Sequence, residues 1–243
     1  MPRFFVPAGQ VGAGEVRITG ADALHIARSL RMAVGEQVTV CDGEGREYTC
    51  RLTHIRDEQV LAEILACRDA GDAPRAVHLY QALPKGDKLE FIVQKAVELG
   101  VTELTPFVSE RCIRRPLPEK AERQSARLRR IAEEAAKQCG RATLPRVNET
   151  ISFETLLQHP PACPVLFCYE GEGTRSLKTC LRELAPLPEV AFIVGSEGGF
   201  SPREAELAVR AGFFPCHLGR RILRCETAPL FVLSALCYEF ELA

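Results

Sequence analysis

From Val77 onward, apolar strand-like runs alternate with amphipathic helix-like ones, and few architectures accept that rhythm. Val77-His78-Leu79-Tyr80-Gln81-Ala82 reads as a strand, and Lys88 to Leu99 reads as a helix stopped by Gly100, a good residue for the left-handed position after a helix. Thr102 to Val108 gives the next strand. Glu119 to Cys139 gives a longer helix, with Leu128, Ile131, Ala132, Ala135 and Cys139 on one face and Arg123, Arg127 and Arg130 on another. Further strands follow at Val165–Tyr169 and Val190–Val194. Ser201-Pro202-x-Glu204 is a capping box with proline at the first helical position, opening a helix that reaches Ala211-Gly212. A strand then ends at Leu218-Gly219, and a last helix spans Pro229 to Glu241. This alternation predicts an α/β domain over residues 74–243.

Residues 1–71 have a different texture. Val16-Arg17-Ile18 is a strand candidate, and Asp22 is placed to cap a short helix through Ala23–Leu30. Gln37–Cys41 and Arg46–Leu52 flank the turn Asp42-Gly43-Glu44-Gly45, which predicts a β-hairpin with glycine supplying positive φ. Val60–Leu65 adds a strand. A compact barrel of five or six strands is the expected closure, with Ala70–Pro74 as the linker.

The chain of 243 residues is long enough for a substantial core. No apolar run approaches the roughly 20 residues that cross a bilayer, and the N-terminus lacks a signal-peptide core, so no membrane role and a cytoplasmic location are expected. Eleven cysteines include no Cys-x-x-Cys pair, which argues against a zinc site or a disulfide framework, so that no metal is expected, and predicts mostly buried thiols. The net charge of −1 hides an asymmetry: residues 111–146 carry eleven Lys/Arg against four Glu. Such a concentration fits a polyanion footprint, and equally a solvated helix face.

Two segments stand apart chemically. Gly195-Ser196-Glu197-Gly198-Gly199-Phe200-Ser201-Pro202 follows a strand-like run. Glycines there let backbone amides and carbonyls approach a ligand, with no Cβ in the way. The loop is neither a P-loop nor Gly-x-Gly-x-x-Gly, because no Gly-Lys-Ser/Thr follows and the glycines fall at 195, 198 and 199. A strand-to-helix turn needing positive φ accounts for one of these glycines, and less easily for three around an acid. The second segment, Leu218-Gly219-Arg220-Arg221-Ile222-Leu223-Arg224-Cys225-Glu226-Thr227-Ala228, is too mixed for helix or strand and could form a second wall of one pocket.

These two segments resemble the G-P-E-G-G-F-S loop and the L-G-x-R-I-L-R-x-E-T-A signature of the RsmE family, bacterial methyltransferases of 16S ribosomal RNA. Gln94–Val101, Ser109-Glu110-Arg111, Ala135-x-x-Gln138-x-x-Arg141 and Pro145 are similar to further family segments. Arg3-Phe4-Phe5-Val6 and the stretch from His25 through Arg31 to Gly43 and Gly45 are similar to its N-terminal domain. Ser196 stands where the family usually has proline, and Cys225 where Thr or Ser is common.

The resemblance implies a SPOUT α/β methyltransferase domain with a trefoil knot, a rare exception to unknotted chains, at residues 74–243. A small PUA-like β-barrel at 1–71 would precede it, and the protein would act as a homodimer on 16S rRNA of the small ribosomal subunit. S-adenosyl-L-methionine would be held by Gly195, Ser196, Glu197, Gly198, Gly199, Leu218, Gly219, Ile222, Leu223, Thr227 and Ala228, with Tyr169 on a third wall. The family methylates N3 of one uridine. Arg224 is then the candidate catalytic residue, stabilising the developing uridine anion or anchoring a phosphate; a guanidinium keeps its proton and makes a poor base. Glu226 is a candidate base or a loop-fixing residue. His25 and His217 are possible bases by residue type alone. Arg3, Arg28, Arg31, Arg111, Arg114, Arg115, Arg123, Arg127, Arg130 and Arg141 are candidate RNA contacts, and Phe4 or Phe5 a candidate stacking surface. Two other readings stay open: an RNA-binding assembly factor without catalysis, and a related enzyme acting on a tRNA ribose.

Overall fold

A computed structural model describes residues 1–71, 75–113, 115, 118–185 and 187–242. Residues 72–74 of the expected linker, and Arg114, lie outside the described residues. The chain divides into two compact units.

The first unit comprises Met1–Asp72 together with Ala136–Leu144. Its strands are β1 (Arg3–Phe5), β2 (Glu15–Thr19), β3 (Gln37–Cys41), β4 (Arg46–Ile55) and β5 (Gln59–Asp69), in the sheet order β1-β3-β4-β5-β2. β1 runs parallel to β3 and the other pairs are antiparallel. Along β2 the side chains alternate strictly, with Val16 and Ile18 buried and Glu15, Arg17 and Thr19 exposed, as one core-facing side of a sheet requires. The β3–β4 hairpin forms as the sequence predicts, with Gly43 (φ 79°) and Gly45 (φ 111°) in the left-handed region of its turn.

Three details of this unit differ from expectation. Helix α1 (Gly20–Leu24) begins after Thr19, so Asp22 lies in its first turn and accepts from Lys137 Nζ at 3.0 Å instead of capping. The helix then widens into a π-turn over His25–Ser29. Phe4 and Phe5 are buried, Phe4 in the unit's core, so neither ring is free to stack on a base.

The second unit comprises Ala73–Ala135 and Pro145–Ala243. Its elements are β6 (Ala76–Ala82), α2 (Lys88–Glu98), β7 (Glu103–Val108), α3 (Pro118–Cys139, whose end belongs to the first unit), β8 (Arg146–Val147), β9 (Ile151–Ser152), α4 (Phe153–Gln158), β10 (Val165–Cys168), β11 (Arg175–Ser176), α5 (Leu177–Leu184), β12 (Glu189–Val194), α6 (Pro202–Arg210), β13 (Phe214–His217) and α7 (Thr227–Phe240). The strands form one sheet in the order β11-β13-β10-β12-β6-β7-β8, with β9 also on β7, and every pair is parallel. Continuous burial of Val190–Val194 and Val165–Phe167 matches a sheet covered on both faces.

The capping box of α6 is present with both reciprocal bonds. Within α3 the buried face is Ser125, Leu128, Ala132, Ala135 and Ala136, while Ile131 is half-buried and Cys139 exposed. β13 ends at His217, before Leu218-Gly219, because His217 Nδ1 accepts the Gly219 N–H (3.2 Å) and turns the chain. Six of the eleven cysteines are buried and all are free thiols. Among the described residues no helix is long and apolar enough to cross a membrane.

Candidate functional site

Parallel strands deliver all their C-terminal ends to one edge of the sheet, and ligands in such folds bind just outside that edge. Here the neighbours β13, β10, β12 and β6 do so side by side. Three of them feed the loops of interest: Tyr169–Gly171 after β10, Gly195–Ser201 after β12, and Leu218–Glu226 after β13. Together they enclose a cavity of about 770 Å³, within the range that takes a small-molecule ligand. Gly195, Ser196, Glu197, Gly198, Gly199, Leu218, Gly219, Ile222, Leu223, Ala228 and Tyr169 line it, and so does Arg224. The structure therefore brings the two sequence segments into one site.

Thr227 does not line the cavity. It opens α7, and its N–H bonds the Arg224 carbonyl at 2.8 Å, beside the Ala228 N–H at 2.9 Å. Those two bonds fix the Arg224 backbone while its side chain is 82% exposed, 4.0 Å from Glu226.

Each glycine of the first loop has a local reason to be glycine. A Cβ on Gly195 would meet Phe200 Cε2 at 3.1 Å and Gly199 Cα at 3.2 Å. On Gly198 it would meet Arg111 Cβ at 3.0 Å. Gly199 has φ of +61° and donates its N–H to Ser196 O at 2.9 Å. All three therefore follow from the turn's own packing, more than the sequence reading granted to a turn. Phe200 anchors the loop below, buried against Phe167, Phe153 and Phe107 with ring centroids 4.5, 5.6 and 6.3 Å away. Arg111, expected from the sequence as an RNA contact, is exposed and braces the loop by donating to Gly198 O at 3.0 Å. Beside it, Glu110 accepts from Ser201 Oγ at 2.7 Å.

Lys88 is the residue that sequence reasoning missed. At the first position of α2 it lines the cavity, and its Nζ lies 2.9 Å from Glu197 and 3.1 Å from Glu226. One ammonium thus ties the two loops together. Burial opposes ionisation of Glu197, but the Lys88 hydrogen bond and backbone N–H donors outweigh it and hold the carboxyl below its ordinary value. The same balance holds for Glu226, where burial is outweighed by backbone, Cys225 and Lys88 hydrogen bonds. A carboxylate made less basic in this way serves better as a strut than as a proton acceptor. Burial pushes the adjacent Cys225 thiol up to about 12, with the Glu226 hydrogen bond adding to it. His217 is engaged with Gly219, and His25 sits in the π-turn of the first unit.

The remaining arginines are dispersed. In the first unit, Arg3 is mostly buried in an ion pair with Glu47 at 2.7 Å, Arg28 pairs with Asp57, Arg31 is exposed with φ of 50°, and Arg141 donates to Thr143. In the second, Arg127 pairs with Glu90 at 2.7 Å, while Arg115, Arg123 and Arg130 are exposed.

Comparison with known proteins agrees with this layout. A family described as RNA methyltransferase domain matches residues 72–237, and one described as RNA methyltransferase PUA domain matches residues 18–65. Ribosomal RNA small subunit methyltransferase E of Bacillus subtilis (strain 168) is 34% identical over 252 residues, covering 100% of this chain and 98% of its own. The crystal structure of a ribosomal RNA small subunit methyltransferase E from Neisseria gonorrhoeae bound to S-adenosyl methionine superposes with a TM-score of 0.88 at 34% identity, covering 99% and 98% of the two chains. The putative methyltransferase Lpg2936 from Legionella pneumophila, in complex with the cofactor SAM, gives 0.86 at 30%, covering 98% and 97%.

Proposed function

The chain belongs to the family of small-subunit ribosomal RNA methyltransferases E, and from that premise we propose that it methylates N3 of one uridine in 16S rRNA, using S-adenosyl-L-methionine. The observation that carries this reading is the cavity at the strand ends, where the Gly195 loop, the Leu218–Glu226 loop and Tyr169 converge. The residues fit the cofactor on their own chemistry. The cavity is large enough, its walls are mostly residues of the three loops, and Ser196 Oγ is buried with no hydrogen-bond partner among the described residues. That hydroxyl exists because serine replaces the family's usual proline.

Once bound, S-adenosylmethionine supplies an electrophilic methyl group; the chain supplies position and charge. Gly195–Gly199, Leu218, Gly219 and Arg221–Leu223 would line the cofactor's seat, with Tyr169 and Ala228 completing it, and Lys88 holds the two loops in register through Glu197 and Glu226. Orientation of this kind supplies up to roughly 7–11 kcal/mol toward a transfer step. Arg224, fixed at its backbone and with its exposed guanidinium 4.0 Å from Glu226, would stabilise the uridine anion as N3 gives up its proton to solvent water. The target base has to leave its stack to reach the cavity.

RNA contacts are assigned to the exposed Arg115, Arg123 and Arg130, with Arg28, Arg31, Arg127 and Arg141 in support. The PUA-like first unit assists in binding. A trefoil knot in the second unit, action as a homodimer and a cytoplasmic location complete the reading. Its test is to incubate the protein with labelled S-adenosylmethionine and small ribosomal subunits from cells lacking the enzyme, then map the modified nucleotide. Methylation at uridine N3 is expected; no incorporation into any RNA refutes the assignment.

A further inference from the structure

At the opposite edge of the second unit's sheet, where its strands begin, lies a cluster that the methyltransferase chemistry does not use. His78 stands on β6, Glu189 opens β12, Glu103 opens β7, and Cys163 precedes β10. The register of the sheet brings them together, with His78 opposite Ala191 on one side and Glu103 on the other. One donor atom each from His78, Cys163 and Glu189 lie within 4.8 Å of one another, and among the described residues no other such set of three occurs.

The details favour a shared ion over simple pairing. His78 Nε2 is buried and lies 2.7 Å from Glu189 Oε1, yet makes no hydrogen bond. That contact is an ion pair when the ring is protonated; with the ring neutral, Nε2 and the Glu189 oxygen stand beside Cys163 as three donors for one ion. On the ring's other side, Nδ1 lies 3.2 Å from Glu103 Oε2. Glu103 is itself held by Asn148, which also donates to Thr105. A carboxylate behind one imidazole nitrogen, with the other facing the proposed ligands, is the arrangement that orients histidine ligands of zinc. Two carboxylates around one imidazole also leave an excess of negative charge, which a cation would balance.

We infer that His78, Cys163 and Glu189 form a site for one divalent ion of the zinc class, with Glu103 orienting the histidine. Nitrogen, thiolate and carboxylate donors suit zinc, and three protein ligands leave a fourth position for water. Tetrahedral bonds of about 2.0–2.3 Å put neighbouring donors roughly 3.3–3.6 Å apart, so the side chains adjust as the ion enters. Cys163 would bind as thiolate, its proton passing to the buffer. The ion would tie β6, β12 and the lead-in to β10 at the edge opposite the cavity, so its role is to stabilise the sheet.

The test uses the full chain, stripped with chelator, titrated with Co²⁺ and then with Zn²⁺. One equivalent of Co²⁺ is expected, with a thiolate-to-metal charge-transfer band that Zn²⁺ abolishes. In C163S the band disappears, and in H78A the affinity falls at least about tenfold. Zinc at a hundredfold excess over its Kd raises the Tm of the unaltered chain by roughly 5 °C or more, and not that of H78A. Absence of binding, or a band that persists in C163S, overturns the assignment. Because the readouts are metal stoichiometry, spectrum and Tm, failure here is independent of failure of the methyl-transfer reading.

Discussion

Replacing Gly195 by alanine probes whether the first loop is fixed by its own packing. The added Cβ falls 3.1 Å from Phe200 Cε2 and 3.2 Å from Gly199 Cα, each a few tenths of an ångström inside ordinary contact. Neither neighbour yields easily. Phe200 is 4% exposed and wedged against three other phenylalanines. Gly199 is tied into its turn by the 2.9 Å bond to Ser196 O. Overpacking of this kind costs about 1–3 kcal/mol, which for a chain of this size lowers Tm by roughly 3–10 °C. Because the same backbone lines the cavity, S-adenosylmethionine affinity measured by calorimetry should fall about tenfold, or ~1.4 kcal/mol. The decisive assay is a double-mutant cycle with Phe200→Leu, which removes the ring atom that alanine strikes. Gly195→Ala should then cost at least ~0.5 kcal/mol less in the leucine background than in the phenylalanine one. Additive costs, or a Gly195→Ala protein of unchanged Tm and affinity, would refute the packing argument.

Three further outcomes are expected. Lys88→Met removes the bridge between Glu197 and Glu226, so calorimetry should show cofactor affinity reduced several-fold, with part of it restored in Lys88→Arg; an unchanged Kd would exclude the bridging role. Both carboxyls are held below their ordinary value near 4.5, so the stability they contribute is present above that pH and lost as pH falls through their lowered folded values. Urea midpoints of Lys88→Met should accordingly decline less steeply on the acid side than those of the unaltered chain. Arg224→Ala keeps the backbone bonds to Thr227 and Ala228, so single-turnover methyl transfer should fall by at least ~10²-fold while cofactor affinity changes little; near-normal transfer would remove Arg224 from the chemistry.

What was legible in the sequence were features written in local chemistry. The β3–β4 hairpin showed in Gly43 and Gly45, the start of α6 in its Ser201/Glu204 box, and the end of α2 in Gly100, whose φ is +87°. The two loops were legible as a pair, and the fold brings them to one cavity. Other features depend on contacts distant in sequence. Lys88 sits 109 residues from Glu197, and nothing around it marks a lysine that bridges two loops; only its place after β6 at the active edge of the sheet does. Helices α4 and α5 are short, each capped by a serine (Ser152 and Ser176); α4 has too few turns for periodicity to register, whereas α5 carries it in Leu177, Cys180, Leu181 and Leu184, all buried. The aromatic pair Phe4-Phe5 is equally compatible with a binding face or a core, and only the packed sheet decides.

The first unit's second segment, Ala136–Leu144, bears on how this gene could be cut or recombined. Residues 1–72 alone encode an incomplete object. Without the later segment, Asp22 loses the ammonium of Lys137 and Arg3 loses the Arg141 carbonyl, 3.4 Å from its Nη1. The turn at Gly43 loses its pairing with Thr143 and Leu144. A fragment library sampling contiguous stretches would thus recover neither unit intact, and a chimera exchanging only the N-terminal seventy-odd residues would graft a foreign surface onto the resident 136–144 strip. Any transplant of this unit has to carry both stretches, which binds the inheritance of the small unit to that of the long helix α3.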